Sequence, residues 1–210
     1  MDGPTVHVVD DDQSFLMAMA RLLRARGHKV ETYGSATEFL RRRTADGPGC
    51  VVIDLRMPEV GGLDLQAALA GSAHPLPVLF LTGHADTAST VRAMRGGAED
   101  FLEKRASEDT VLEAVHRALM RDAREREGRA RQLELRGRFE SMTAREREVL
   151  GHVLRGRLNK QIAADLGVGE RTVKAHRKAL MTKLGVRSVA ALTRLTHEAG
   201  MPMPPDATFP

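Results

Sequence analysis

The 210-residue sequence predicts an α/β domain built on a doubly wound, five-stranded parallel sheet, followed by a smaller all-α domain. Three observations carry this. Short β-branched strands alternate with amphipathic helices through residues 1–120, the pattern of a parallel sheet covered on both faces. From Thr143 onward the apolar periodicity is helical throughout, punctuated by Gly156, Gly167-Val168-Gly169 and Gly185. The charge also reverses: residues 1–120 hold 13 Lys/Arg against 17 Asp/Glu, residues 121–140 hold 7 against 5, and residues 141–210 hold 12 against 6. A chain of this length suits one large domain or two small ones, and the reversal favours two.

Val6-His7-Val8-Val9 is the first strand. Phe15, Leu16, Met19, Leu22 and Leu23 then form the stripe of a helix that Asp12 caps and Gly27 closes. Lys29 to Thr32 is the second strand, and Ser35 caps a helix containing Phe39 and Leu40. Cys50 to Leu55 is apolar on both faces, as a central parallel strand must be. After the Met57-Pro58 turn come a helix over Leu63 to Leu69, a strand over Val78 to Leu81, and a helix over Thr87 to Met94 capped by Asp86 and ended by Gly96-Gly97. Phe101-Leu102 marks the fifth strand. Val111, Leu112, Val115 and Leu119 mark a fifth helix running past Met120.

Residues 121–140 are dominated by Arg and Glu, with Leu133, Leu135 and Phe139 the large apolar groups. They predict a charged helical linker, held by i,i+4 pairs such as Glu127 with Arg131 and broken near Gly137; a disordered linker is the alternative. Residues 1–120 and 141–200 are the domains on either side. The tail 201–210, with four prolines, is predicted to be disordered.

Composition excludes several function classes. The single cysteine, Cys50, rules out an intrachain disulfide framework or a multi-cysteine zinc site, fits a reducing compartment, and is predicted to be inert packing. No apolar run approaches the roughly 18 residues of a membrane span, and Met1-Asp2-Gly3-Pro4 lacks the start of a signal peptide, so a cytoplasmic protein without membrane contact is expected. Aromatics are 3% with no Trp, leaving little for stacking single-stranded nucleic acid. A basic C-terminal part remains compatible with duplex binding.

Asp10, Asp11 and Asp12 follow the first strand, Asp54 ends the third, Thr82 the fourth, and Lys104 follows the fifth. In an open parallel sheet these strand ends converge on one crevice. Packed carboxylates repel, and a hard cation such as Mg²⁺ with a phosphoryl oxygen relieves that repulsion. Such a site holds a carboxylate nucleophile, a lysine to neutralise phosphoryl oxygens, and a hydroxyl to sense the new charge. Taken singly each position is more often structural, and Asp12 has its capping role. His84 reads as a rim residue.

The stretches VHVVDDD, VVIDLRMPEVGGLDL, LTGHAD and AEDFLEK closely resemble a two-component receiver domain of the FixJ group, over nearly all of residues 4–120. The resemblance implies a flavodoxin-like receiver in which Asp54 accepts phosphate from a sensor histidine kinase. Asp10, Asp11, Asp54 and the backbone carbonyl of Arg56 would bind Mg²⁺ (or Mn²⁺). Thr82 would contact the phosphoryl group and draw Phe101 inward, altering the face of the fourth helix and fifth strand where active partners dimerise; for Phe101 plain core packing is the alternative. One departure stands out: relatives carry proline after the lysine, where this chain has Lys104-Arg105. A non-proline cis bond costs about 3–4 kcal/mol, so a trans bond with an imperfectly placed Lys104 and weaker coupling to phosphorylation is expected.

In the C-terminal part Thr143-Ala144-Arg145-Glu146 is a capping box opening a helix with Val149, Leu150, Val153 and Leu154 inward. Asn159 is expected to cap a second helix, Lys160 to Leu166, and Gly167-Val168-Gly169 is a turn of helix-turn-helix length. The third helix, Glu170 to Leu184, turns Val173, Leu180 and Leu184 inward and a basic face outward, which fits the major groove of duplex DNA.

Residues 141–197 resemble the LuxR/GerE helix-turn-helix. The resemblance implies that Lys174, Ala175 and Lys178 approach base edges, that Asn159, Lys160, Arg171, Thr172 and Arg177 hold phosphates, and that a last helix over Ser188 to His197 offers a dimer face through Val189 and Leu192. Gly169 stands where relatives often have a capping Ser or Thr. The whole chain is similar to a FixJ-type response regulator: not an enzyme, but a phosphorylation-dependent transcription regulator that dimerises, binds double-stranded DNA, has RNA polymerase as a further partner, and activates transcription. Two rivals remain: a phosphatase using Asp54 as nucleophile, and a DNA-binding regulator controlled by protein interaction independently of phosphorylation.

Overall fold

A computed structural model describes residues 3–43, 47–83 and 86–201. The chain divides into two compact units, residues 1–126 and 127–210.

In the first unit the strands β1 (Thr5–Val9), β2 (Lys29–Tyr33), β3 (Gly49–Ile53), β4 (Val78–Thr82) and β5 (Asp100–Glu103) form one parallel sheet in the order β2-β1-β3-β4-β5. The helices α1 (Gln13–Ala25), α2 (Ala36–Arg42), α3 (Gly62–Ala70), α4 (Thr87–Arg95) and α5 (Glu108–Glu140) alternate with them. β1, β3 and β4 are buried along their whole length, which is why they are rich in apolar residues; the polar His7 within β1 is matched by the Tyr33 hydroxyl at 3.1 Å. Leu16, Leu23, Val52, Leu81 and Val115 fill one face of the sheet, and Phe39, Ile53, Leu65, Leu69 and Phe80 the other. Asp12 accepts bonds from the Ser14 and Phe15 amides, Ser35 from Glu38, and Asp86 from Ser89, so three helix starts are set by side chains one residue outside them. Cys50 is buried, and burial pushes its thiol pKa far up.

α5 is continuous through Gly137, where a break was expected. The glycine costs a helix about 1 kcal/mol relative to alanine. Leu135 and Phe139, four residues apart on one face, offset this: both are 2% exposed in the core of the second unit. The charge pairs also differ from expectation. Arg121 pairs with Glu125, Arg126 with Asp122 and Arg138 with Glu134, whereas Arg131 takes Glu198 rather than Glu127. Asp122, buried, accepts the Gly49 amide at 2.9 Å, and Arg126 donates to the Gly47 carbonyl at 2.6 Å, so this stretch of α5 is fastened to the start of β3.

The second unit adds α6 (Ala144–Leu154), α7 (Asn159–Leu166), α8 (Glu170–Leu184) and α9 (Val189–Glu198). Val149, Val153, Ile162, Val173, Leu180 and Leu192 pack with Leu135 and Phe139. The Thr143 hydroxyl accepts from the Glu146 amide, and the Glu146 carboxylate accepts from the Thr143 amide and from Lys183 at 2.7 Å. Gly167 ends α7 at φ 64°, a left-handed turn that glycine enters without strain.

Two expectations fail here. Asn159 does not cap α7: Leu158 is the N-cap, the Gln161 side chain accepts its amide at 2.8 Å, and the Asn159 side chain accepts from Arg177 Nη1 at 3.0 Å. Leu192 offers no dimer face, because the apolar stripe of α9 turns into its own core and leaves Leu192 fully buried, with Val189 packed beside it. The tail beyond Met201, expected to be disordered, lies outside the described residues.

Candidate functional site

The strand order places β1 and β3 side by side where the direction of winding reverses, and a carboxylate follows each strand directly. The Asp54 amide donates to the Val9 carbonyl at 2.9 Å, carrying the ladder one residue past β3 and aiming Asp54 into the crevice. Asp10 and Asp54 are nearly buried and Asp11 is exposed; one oxygen of each lies within 4.8 Å of the others. Asp10 Oδ1 accepts the Asp12 amide at 2.9 Å and Asp54 Oδ2 accepts the Arg56 amide at 3.0 Å. Lys104 Nζ is 2.6 Å from Asp10 Oδ2 and 3.4 Å from Asp54 Oδ1. Gly62 passes so close that a Cβ there would sit 2.4 Å from the Asp54 carbonyl, so only glycine fits. Thr82 is buried at the end of β4, and its carbonyl accepts the Lys104 amide at 2.8 Å. Phe101 is half-buried, its ring 5.7 Å from that of Phe80.

In the second unit Arg171, Thr172, Lys174, Ala175 and Lys178 are exposed on α8, opposite the buried Val173, Leu180 and Leu184. Lys160 is exposed at the start of α7, while Asn159 and Arg177 are half-buried against each other. Lys174 pairs with Glu170 one turn earlier at 3.2 Å.

Comparison with known proteins decides what these two arrangements belong to. Residues 6–116 match the response regulator receiver domain, and residues 140–196 match the bacterial regulatory proteins of the luxR family. The chain belongs to the response regulators. It is similar to the response regulator protein TodT of Pseudomonas putida, with 40% identity over 91% of this chain and 85% of that one. It is also similar to the transcriptional regulatory protein FixJ of Azorhizobium caulinodans, with 37% identity over 97% of this chain and 96% of the relative. The solved structure of the response regulator StyR matches with a TM-score of 0.83 at 44% identity, covering 94% of this chain and all of that one. The regulator thus combines a receiver with a LuxR-type DNA-binding domain and regulates transcription.

Electrostatics separate the residues of the regulator's acidic crevice. Burial raises the Asp54 pKa above the ordinary carboxylate range and the charge of Asp10 adds to this, while the Lys104 ammonium and the Arg56 amide oppose it. For Lys104 burial disfavours the charge, but Asp10 and Asp54 outweigh it and hold its pKa above the ordinary value. The donors suit a hard cation. All are carboxylate oxygens, and Asp10 Oδ2, though buried, accepts no hydrogen bond of regular geometry among the described residues and has the Lys104 ion pair alone.

The expected misplacement of Lys104 is not found. The Lys104–Arg105 bond is trans, yet the lysine reaches both carboxylates. Pairing of β5 with β4 fixes its backbone, and its ammonium lies 4.5 Å from the centre of the Phe15 ring. Phe15 was legible only as a core position of α1; a cation held on an aromatic face leaves no periodic signal. Arg56 also has an unforeseen partner, Asp86 at 3.7 Å, which caps α4 at the same time. Glu170 was read merely as the start of α8. His84 lies outside the described residues.

Proposed function

We propose that Asp54 is the phosphoryl acceptor of a two-component system and that its phosphorylation drives dimerisation, DNA binding and activation of transcription. The observation that carries this is the charge arrangement at one carboxylate: Asp54 has Lys104 on one oxygen, the Arg56 amide on the other, and Asp10 and Asp11 beside it. An oxygen of Asp54 attacks the phosphorus of a phosphohistidine on a sensor kinase; the O–P bond forms as the P–N bond breaks and the imidazole leaves. Asp10, Asp11, Asp54 and the Arg56 carbonyl would hold Mg²⁺ or Mn²⁺, which would supply positive charge to neutralise phosphoryl oxygens. Lys104 exchanges part of its contact with Asp10 for the phosphoryl group, the Thr82 hydroxyl turns to it, and Phe101 moves inward along Phe80.

Residues 1–120 serve as the receiver, 121–140 as a helical linker whose last turns support the DNA-binding domain, and 141–200 as that domain. On duplex DNA, Lys174, Ala175 and Lys178 meet base edges, while Asn159, Lys160, Arg171, Thr172 and Arg177 meet phosphates. The protein acts in the cytoplasm, with RNA polymerase as a further partner. No described helix is long and apolar enough to cross a membrane.

Sedimentation velocity with Mg²⁺, with and without beryllofluoride, tests the reading on the wild type and Asp54→Asn. A monomer-to-dimer shift in the wild type alone is the expected result. An equal shift in both, or none in either, would replace it with control by protein interaction.

A further inference from the structure

We infer that Glu170 is a sequence-reading residue, selecting a cytosine through its N4 amine in the major groove, beside the base taken by Lys174. This rests on α8 being the helix that enters the groove.

Glu170 is the sole acid on α8, whose sequence is ERTVKAHRKALMTKL. The other described acids of residues 141–201 lie off this helix: Glu146 is paired with Lys183, Glu148 with Arg145 and Glu198 with Arg131, and Asp165 faces His152 at 3.5 Å. An acid at the leading end of a helix that approaches a polyanion opposes binding unless its oxygens meet donors there. Inside the major groove the donors are the N4 amine of cytosine and the N6 amine of adenine, and cytosine suits a carboxylate best.

The geometry orders the contacts. Glu170, Lys174 and Lys178 follow one another at i, i+4 and i+8, one stripe along the exposed side of α8. From the N-terminal end the stripe reads acceptor, donor, donor. Each step advances about 6 Å along the helix, and base pairs are stacked about 3.4 Å apart. The half-site is therefore expected to carry its cytosine one or two base pairs from a guanine. Without DNA the Lys174 ammonium holds the Glu170 carboxylate at 3.2 Å; on DNA each exchanges the other for a base partner.

The test is selection from a pool of random-sequence duplexes by the full-length wild type and by Glu170→Ala, Glu170→Gln and Lys178→Ala. Each selection is run with and without beryllofluoride and Mg²⁺, so that a failed switch does not mask binding. The wild type is expected to prefer cytosine at one position of each half-site by about tenfold. Glu170→Ala loses that preference and no other, Glu170→Gln turns it toward adenine, and Lys178→Ala alters a different position. Glu170→Ala that keeps every wild-type preference while binding all sequences more tightly overturns the inference and leaves Glu170 a bulk charge. A wild type that enriches no sequence overturns the groove reading of α8 as well.

Discussion

The acidic crevice of the receiver and the exposed side of α8 carry function in opposite ways. In the crevice Asp10, Asp54 and Lys104 are largely withdrawn from water and within ion-pair distance of one another. On α8 Arg171, Thr172, Ala175 and Lys178 are exposed, Lys174 has the exposed Glu170 as its ion-pair partner, and the helix is held by groups on its other side. Removing one member of the crevice changes what the others experience, so effects there are not additive; separated residues on α8 act one at a time. A buried site is therefore coupled to the stability of its domain, and an exposed interface is coupled to its frame alone.

The largest effect expected from this contrast is in the frame. Phe139→Ala, at the end of α5, should destabilise the second unit by about 3–5 kcal/mol, whereas Lys178→Ala should leave its stability within about 0.5 kcal/mol. Hydrogen exchange of the α8 amides during urea unfolding measures both. Similar losses in the two variants would break the contrast. In the crevice the next effect is Lys104→Ala, which strands two buried carboxylates and should cost the receiver about 1–3 kcal/mol without divalent cation. Asp10→Asn in the same chain should recover most of it, and so should Mg²⁺. Tyr33, the one tyrosine of the sequence, is buried in the first unit and reports its unfolding by fluorescence. Additive losses in the double variant would mean that the three groups are not coupled.

The sequence made the sheet legible because a buried parallel strand is both short and apolar on each face, and the convergence of Asp10, Asp11, Asp54 and Lys104 followed from their places at strand ends. What it hid were choices between partners. Gly137 looks like a stop, and the burial of Leu135 and Phe139 in a core assembled from α6 to α9 keeps α5 helical through it. Asn159 has the chemistry of a cap, but Arg177, eighteen residues later, takes its side-chain oxygen. Lys104 without its following proline looked misdirected, yet a long flexible side chain and the Phe15 ring bring it to the carboxylates. Leu192 has the same periodicity whether it faces its own core or a second copy.

The two regions should also respond to pH with opposite sign. Asp54 has its pKa raised by burial, so its contribution to receiver stability is greatest below the unfolded value of about 3.9 and is lost as pH rises through the folded value. The Lys183 ammonium, followed by the Thr143 amide, holds Glu146 below the ordinary carboxylate range. Its contribution is present above the unfolded value of about 4.3 and is lost as pH falls through the folded one. Mild acidification should therefore favour the receiver through Asp54, and stronger acidification should weaken the second unit through Glu146. Asp54→Asn should flatten the first slope and Glu146→Gln the second, read by Tyr33 fluorescence and α8 amide exchange respectively. A slope that survives its own substitution would assign it to other groups.

The smallest effect sharpens the separation between frame and face. Gly169 is the N-cap of α8 and makes no side-chain bond, whereas Thr143 and Ser188 at the same point of α6 and α9 each accept an amide. Its φ of −74° is open to any residue, and a Cβ there would meet only the Thr172 hydroxyl, at 4.0 Å. Gly169→Ser should add a cap bond and stabilise the second unit by a few tenths of a kcal/mol. Because the change leaves the outward side chains of α8 as they are, preference among DNA sequences should stay the same while the midpoint of urea unfolding rises slightly. A changed preference would show that the start of α8 is not rigid when it meets DNA, and that its cap belongs to the reading face as much as to the frame.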